Sequence, residues 1–436
     1  MECSGTIKRA SRLNKESAVE GENSKSLADH HRMGRRRFLH ATLWVAAVAS
    51  AELIAPAAFA SGHPHSEPRK AAAPPPRANQ SDGLLDPYTT ACVMEPVTRT
   101  VIFNKDMDRP WPTASLAKMM VMLIVAEKVS DGSLKLDSEV TTSAAASKMG
   151  GSQVYLAEGE TFTLDDMMKA VVVHSANDAT YAVAEYVGGS PEAFVGLMND
   201  KAAELGLKET HFYSVHGLPP ENGEGEDVSS AYDLAIIGTE LVQYPDVLRW
   251  SSIDTAPFRD GKFELRNTNH LVRTYAGCDG LKTGFYDKAG FNVVATARRD
   301  GLRLIAVVLG SPRKDENFDQ AATMMSQGFL HYQIRQLAQK GAPIDRTVKV
   351  KGGAVSTITP VWDADAAVLE PRDGTKTDPS ISYQLPESIT APILGGTRVG
   401  TARITVNGKP QPDIALIAPA DVAQSSWIWR MIDRVY

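Results

Sequence analysis

Strand signals bracket a block of helices in this chain, and few architectures accept that order. Thr90–Met94 and Thr100–Phe103 read as two strands around a turn at Glu95-Pro96. Leu116–Val129 (LAKMMVMLIVAEKV) follows as a strongly apolar helix, stopped by Ser130-Asp131-Gly132. Residues 163–187 read as helix in two pieces, broken near His174–Asn177, and residues 191–205 as a helix with Pro191 in its first turn and Gly206 after its end. Strand signals return at Gly280–Thr283, Phe291–Arg298 and Leu302–Leu309, and a last helix is expected over about Glu316–Gln339. Two strands, a helical block and three strands suit one mixed sheet that joins both ends of the domain, with the helices inserted between.

Outside that unit the pattern changes twice. Beyond Gly341, Thr347–Val350, Val361–Leu369, Ser380–Leu385 and Gly400–Val406 alternate as short strands, with Asn407-Gly408 a strong hairpin turn. The expected division is a mixed α/β domain over 89–342 and a small all-β domain over 345–422. Ahead of them, Arg35-Arg36-Arg37, the apolar run Ala41–Ala51 and the small residues Ala57-Ala58-Phe59-Ala60 make residues 1–60 a secretory signal peptide. Arg35-Arg36 before Phe38-Leu39 reads as a twin-arginine signal or as an ordinary basic leader, and Met33 is an alternative start to Met1. Residues 61–88, with the run Ala71-Ala72-Ala73-Pro74-Pro75-Pro76, form a stiff linker.

Composition excludes several functions. With 46 Lys+Arg against 52 Asp+Glu there is no basic surplus for phosphates, so no nucleic-acid partner is expected. Three Cys in 436 residues rule out a disulfide scaffold and a Cys-rich zinc module. No His-Glu-x-x-His, Gly-x-Gly-x-x-Gly or P-loop occurs, so neither metal nor nucleotide cofactor is expected.

Three short motifs carry chemistry. Ser115-Leu116-Ala117-Lys118 puts a Ser at the mouth of the most apolar helix, with Lys three residues on along the same face. A Lys activates a Ser hydroxyl only when neutral, and burial or a nearby cation lowers its pKa. The backbone N–H groups at the helix start favour developing negative charge. Ser-x-x-Lys also occurs at Ser311–Lys314, on a loop after a strand with Pro and Arg between, where no buried lysine is built. Ser175-Ala176-Asn177 sits in the helix break; read alone it is also a helix cap. Lys282-Thr283-Gly284 ends a late strand; read alone it is an exposed strand end, but cation, hydroxyl and glycine together can receive a substrate carboxylate.

The ordered trio Ser-x-x-Lys, Ser-x-Asn, Lys-Thr-Gly resembles the low-molecular-mass penicillin-binding proteins, the serine-type D-Ala-D-Ala carboxypeptidases. The likeness runs from about Thr89 to Val422 and includes Gly150-Gly151-Ser152, Val215-His216-Gly217-Leu218, Asn267-Thr268-Asn269, Asp287-Lys288-Ala289-Gly290 and Gly400-Thr401. It implies an α/β (α+β) penicillin-recognising, transpeptidase/β-lactamase-like catalytic domain followed by the small all-β domain. It makes Ser115 the nucleophile, Lys118 its base and Ser175 the proton relay. Asn177 would hold the substrate amide, Lys282 and Thr283 the terminal carboxylate, and the N–H groups of Ser115 and Phe285, after Gly284, the oxyanion. Two positions depart from the family pattern: Ala176 stands where many relatives have Gly, and Phe285 where many have His, which lowers local polarity. The resemblance also sets the strands of Cys92 and Cys278 apart, so no bond between them is expected.

The implied partners are peptidoglycan stem peptides, with β-lactams as inhibitors, and the implied location is the periplasm or the outer face of the cytoplasmic membrane. Competing readings are an endopeptidase of the same family, a β-lactamase and a wall-binding protein with a relict cleft. The second base that a β-lactamase uses has no convincing Glu-x-x-Leu-Asn-type element here, and the extra β domain also argues against it. Residues 425–436 form an amphipathic stripe (Trp427, Ile428, Met431, Ile432 and Val435 against Arg430, Asp433 and Arg434) that reads as a weak membrane-surface anchor or as a helix packed on the β domain.

Overall fold

The computed structural model describes residues 87–219 and 225–425. The signal peptide, nearly all of the linker and the tail beyond Ser425 lie outside the described residues. The elements that position the site are β1 (Thr90–Glu95), β2 (Thr100–Lys105), α1 (Lys118–Ser130), α2 (Leu164–Val173), α3 (Asn177–Gly188), α4 (Pro191–Glu204), α5 (Ala231–Leu241), α6 (Pro245–Ser251), β3 (Cys278–Tyr286), β4 (Gly290–Arg299), β5 (Leu302–Ser311) and α7 (Glu316–His331).

The five strands form one sheet in the order β2-β1-β5-β4-β3. Strand β1 pairs with β5 through Thr90↔Leu309 to Met94↔Ile305, which joins the two ends of the domain as the sequence order predicted. The sheet is antiparallel throughout rather than mixed. Short turns link β1 to β2 and β3 to β4 to β5, and such turns allow only antiparallel neighbours.

Side-chain alternation shows that both faces of the sheet are covered. Cys92, Met94, Val294, Ile305 and Val307 point into one core with α1. Ala91, Val93, Val293, Ala295, Ala306 and Val308 point into a second core under α7. Neighbouring residues on one strand thus serve opposite layers, the period-2 rule of a strand buried on both sides. The apolar α1 is buried from Lys118 to Ala126, as a helix without a polar face requires. Local chemistry sets the other ends. The Ser190 hydroxyl accepts from Ala193 N–H at 3.1 Å to open α4, and the Ser230 hydroxyl accepts from Asp233 N–H at 3.0 Å to open α5. Helices α5 and α6 were not expected from the sequence.

The last helix stops at His331, eight residues short of the expected Gln339. Tyr332–Ala338 (β6) runs on as a strand, paired antiparallel with β7 (Ala366–Pro371) from Tyr332↔Pro371 to Ala338↔Ala366. The β-rich part therefore begins to pair ahead of the division at 342–345. The expected strand Val361–Leu369 is likewise two: Val361–Trp362 pairs with Ile414–Ile417, while β7 turns away to β6. Two small apolar clusters hold this part, one around Val348, Ile393 and Val399, the other around Trp362, Val368 and Leu416.

Candidate active site

The chain is most contorted where the motifs meet. Ala114 has φ +47° just before Ser115, and Ser175 has φ +62° in the break between α2 and α3. A non-glycine residue held left-handed costs about 1–2 kcal/mol, and such strain persists where the surroundings over-determine it. Here they do. A 3₁₀ turn, Ala114–Ala117, carries Ser115 into α1. Thr113 N–H donates to the Asp227 carbonyl at 3.0 Å, and the Asn292 side-chain amide donates to the Pro112 carbonyl at 3.0 Å. A Cβ on Gly217 (φ +79°) would overlap the Ala114 carbonyl, and one on Gly284 would lie 2.7 Å from Thr113 O and 3.0 Å from Ser115 N. Only glycine lets the 214–218 loop and strand β3 close on Ser115 from two sides.

Lys118 is fully buried, with Nζ 2.8 Å from Ser115 Oγ, 2.6 Å from Asn177 Oδ1 and 3.0 Å from the His216 carbonyl. Burial and then the Lys282 charge hold its amine well below the usual lysine range, against the pull of Asp227 and Asp178. A lysine whose charged form is disfavoured, beside a serine hydroxyl, is placed to take that hydroxyl's proton. Asn177 Oδ1 accepts from Lys118, and its Nδ2 donates to the Gly150 carbonyl at 2.7 Å. The Ser175 hydroxyl is buried and has no hydrogen-bond partner among the described residues.

On β3, Lys282 is 1% exposed and burial lowers its amine to about 7. Its Nζ donates to the Thr283 carbonyl at 3.1 Å. Thr283 Oγ1 donates to Thr268 Oγ1 at 2.7 Å. The flanking Asn267 and Asn269 are buried and tie this stretch down: Asn267 donates to the Ser251 and Ile253 carbonyls, and Asn269 to that of Gly280. Phe285 lies 51% exposed, its ring stacked on Phe291 at 4.2 Å between centroids. Ser115, Ser175, Thr283, Gly284 and Phe285 line one cavity of about 270 Å³, with Lys118, Asn177 and Lys282 buried around it. A larger cavity of about 670 Å³, against Phe162, Phe258 and Arg259, holds none of the sequence-predicted residues.

Three contributors lie outside the three motifs. The first is Asp227, buried and accepting from Tyr213 N–H, Ser214 N–H and the Ser214 hydroxyl. Burial raises its carboxyl above the usual range against those bonds. It fixes the loop whose His216 carbonyl meets Lys118. The second is that carbonyl itself, a backbone atom invisible to side-chain motifs; the His216 ring accepts from Leu218 N–H at 3.1 Å and braces the same loop. The third is the segment after β5: Lys314, Asp315, Asn317 and Phe318 reach the rim of the cavity. Ser311, the other serine of a Ser-x-x-Lys, is fully buried at the end of β5. Cys92 and Cys278 are free, buried thiols on strands separated by β4 and β5. Among the described residues no helix is long and apolar enough to cross a membrane.

Comparison with known proteins places this geometry. Residues 87–313 match the family model described as D-alanyl-D-alanine carboxypeptidase, and residues 332–424 match that of the penicillin-binding protein 5 C-terminal domain. The D-alanyl-D-alanine carboxypeptidase DacF of Bacillus subtilis is 34% identical over 342 residues, covering 78% of this chain and 87% of its own. DacC of Escherichia coli is 32% identical over 352 residues, covering 79% and 86%. Among solved structures, penicillin binding protein 5 of Haemophilus influenzae superposes with a TM-score of 0.61 at 26% identity, over 79% of this chain and all of the other. The ampicillin-bound penicillin-binding protein D2 of Listeria monocytogenes gives 0.52 at 30% identity, over 57% and 99%. The family model spans more than half of the sequence, and two relatives above 30% identity cover more than three quarters of it: the chain belongs to the D-alanyl-D-alanine carboxypeptidase family, within the low-molecular-mass penicillin-binding proteins.

Proposed function

We propose that this chain is an exported serine D-Ala-D-Ala carboxypeptidase that removes the terminal D-Ala from peptidoglycan stem pentapeptides through an acyl-enzyme, and that β-lactams acylate the same serine. The observation that carries the reading is the buried, charge-disfavoured Lys118 amine 2.8 Å from Ser115 Oγ. Lys118 takes the hydroxyl proton as Ser115 Oγ adds to the penultimate D-Ala carbonyl. The N–H groups of Ser115 and Phe285 hold the oxyanion. Ser175, whose hydroxyl has no hydrogen-bond partner among the described residues, passes a proton to the departing D-Ala nitrogen. Lys282, in its protonated form, and the Thr283 hydroxyl receive the terminal carboxylate. Water then hydrolyses the ester and frees Ser115. The arginine-led segment 1–60 would direct export to the periplasm or the outer face of the cytoplasmic membrane, 61–88 would tether the enzyme, and 425–436 would rest weakly on the membrane surface.

The deciding experiment uses the exported chain, diacetyl-Lys-D-Ala-D-Ala and fluorescent penicillin. The wild type should release D-Ala and take the label. Ser115→Ala should abolish both, and Ser311→Ala should abolish neither. Label retained by Ser115→Ala would refute the assignment.

A further inference from the structure

Tyr155 is held in a backbone conformation that a tyrosine does not adopt unaided. Its φ is +58°, and a bulky residue in the left-handed region persists only where its neighbours over-determine it. Two charged side chains do so here. Asp178, next to Asn177 in the first turn of α3, accepts from the N–H groups of Val154 at 3.1 Å and Leu156 at 3.0 Å. Arg259, paired with Glu160, donates to the Val154 and Tyr155 carbonyls. Val154 and Leu156 are buried, whereas Tyr155 is 70% exposed. The contortion therefore turns the Tyr155 ring outward rather than into a core. Phe263 meets that ring edge-on at 6.3 Å, and His174, the residue before Ser175, meets Phe263 edge-on at 5.3 Å. The ring is braced from within and open to solvent.

The same loop walls the cleft. Ser152 lines it, and the Ser152 carbonyl accepts from Asn177 N–H at 2.7 Å. Three residues span at most about 10–11 Å, so Tyr155 stands within reach of a long side chain of a peptide bound there.

We propose that Tyr155 is a subsite for the part of the substrate that stays on the enzyme as the acyl group: its ring packs against the long unbranched aliphatic side chain of the diamino residue that precedes D-Ala-D-Ala. The proposal rests on the carboxypeptidase reading, in which Asn177 holds the substrate amide. What precedes that amide runs past Asn177 toward the loop that Asn177 bonds to. A run of methylenes lies readily along an aromatic surface, with its polar end left in water.

The test measures kcat and KM of the exported chain on diacetyl-Lys-D-Ala-D-Ala and on acetyl-Ala-D-Ala-D-Ala. Tyr155→Gly removes the ring and suits the left-handed backbone, so this variant keeps the loop; Tyr155→Phe keeps the ring. The wild type should favour the Lys substrate about tenfold in kcat/KM. Tyr155→Gly should lose that preference through a higher KM for the Lys substrate at little-changed kcat, and stay within about threefold of wild type on the Ala substrate. Tyr155→Phe should behave as the wild type. A wild-type preference below about threefold, or one that survives in Tyr155→Gly, overturns the proposal. Equal losses on both substrates also overturn it, because the ring would then only prop the loop. Absence of D-Ala release from either substrate by the wild type would instead bring down the carboxypeptidase reading itself.

Discussion

Gly284→Ala tests how closely strand β3 must approach the nucleophile. The new Cβ would lie 2.7 Å from Thr113 O, 3.0 Å from Ser115 N and 3.1 Å from Ala114 Cβ. Carbon normally keeps about 3.3–3.6 Å from a carbonyl oxygen and about 3.5–4.0 Å from another carbon. Gly284 has an ordinary φ, so the added methyl brings no conformational strain, only the overlap. Two of these neighbours are backbone atoms and the third is the Cβ fixed to it, all in the pinned 113–115 segment. Thr113 is held by the Asp227 carbonyl, and its own carbonyl accepts from Leu116 N–H at 3.1 Å. The gap must therefore open by about 0.5–0.9 Å, by moving β3 away from Ser115. Misplacement by about 1 Å costs roughly a hundredfold in rate, so acylation should slow by about ten- to a hundredfold. Overpacking should lower stability by about 1–3 kcal/mol. The assay is the second-order rate of labelling by fluorescent penicillin, taken well below the melting temperature, with urea unfolding in parallel. Gly196→Ala is the control: nothing lies within 4 Å of its Cβ in α4, so it should leave the rate alone and stabilise the helix by about 0.5–1 kcal/mol. A folded Gly284→Ala protein that is labelled within about threefold of the wild-type rate would refute the argument.

Two further outcomes follow from the buried charges. Lys282 carries its proton below about 7 and loses it above, so kcat/KM for a substrate with a free terminal carboxylate should fall as pH rises through that value. The loss is about ten- to a hundredfold, one charge-assisted contact at ~1.5–3 kcal/mol; an amidated substrate should show no such limb, and equal limbs for both would refute the role of Lys282. Asp178 is buried and accepts from the N–H groups of Val154, Leu156 and Ala179, so Asp178→Ala should strand three buried amides at ~1–3 kcal/mol each, a loss of at least about 3 kcal/mol in urea unfolding. Asp178→Asn keeps one acceptor and should lose less; an Asp178→Ala protein within about 0.5 kcal/mol of wild type would contradict the accounting.

What was legible in the sequence was local. Asn407-Gly408 was read as a two-residue hairpin turn, and the structure has Asn407 at φ +50°, Gly408 at φ +78° and Val406 opposite Lys409. The break between α2 and α3 was visible because Ser and Asn interrupt an apolar helical run. The misread elements are those decided by distant partners. Tyr332–Ala338 is rich in Gln, Arg, Leu and Ala, good helix formers, yet its backbone pairs with a strand more than thirty residues on. Asp363 and Asp365, poor strand formers inside Val361–Leu369, fall where the chain changes sheet. The same divide runs through the site. The side chains of the three motifs were legible, whereas the backbone carbonyls of His216 and Gly150, and the buried Asp227 that holds the former in place, act through contacts across 98, 27 and 14 residues.

The two buried thiols turn the sheet into its own clock. Burial lifts Cys92 to about 12 and Cys278 to about 11, so at neutral pH almost no thiolate exists while the strands are closed. An alkylating reagent must then wait for the protein to open. Cys278 begins the edge strand β3, which can fray alone; Cys92 lies on β1, hydrogen-bonded on both sides by β2 and β5. The rate at which each sulfur is captured separates fraying beside the active site from parting of the whole sheet. A β-lactam bound at Ser115, against β3, should slow the first rate more than the second.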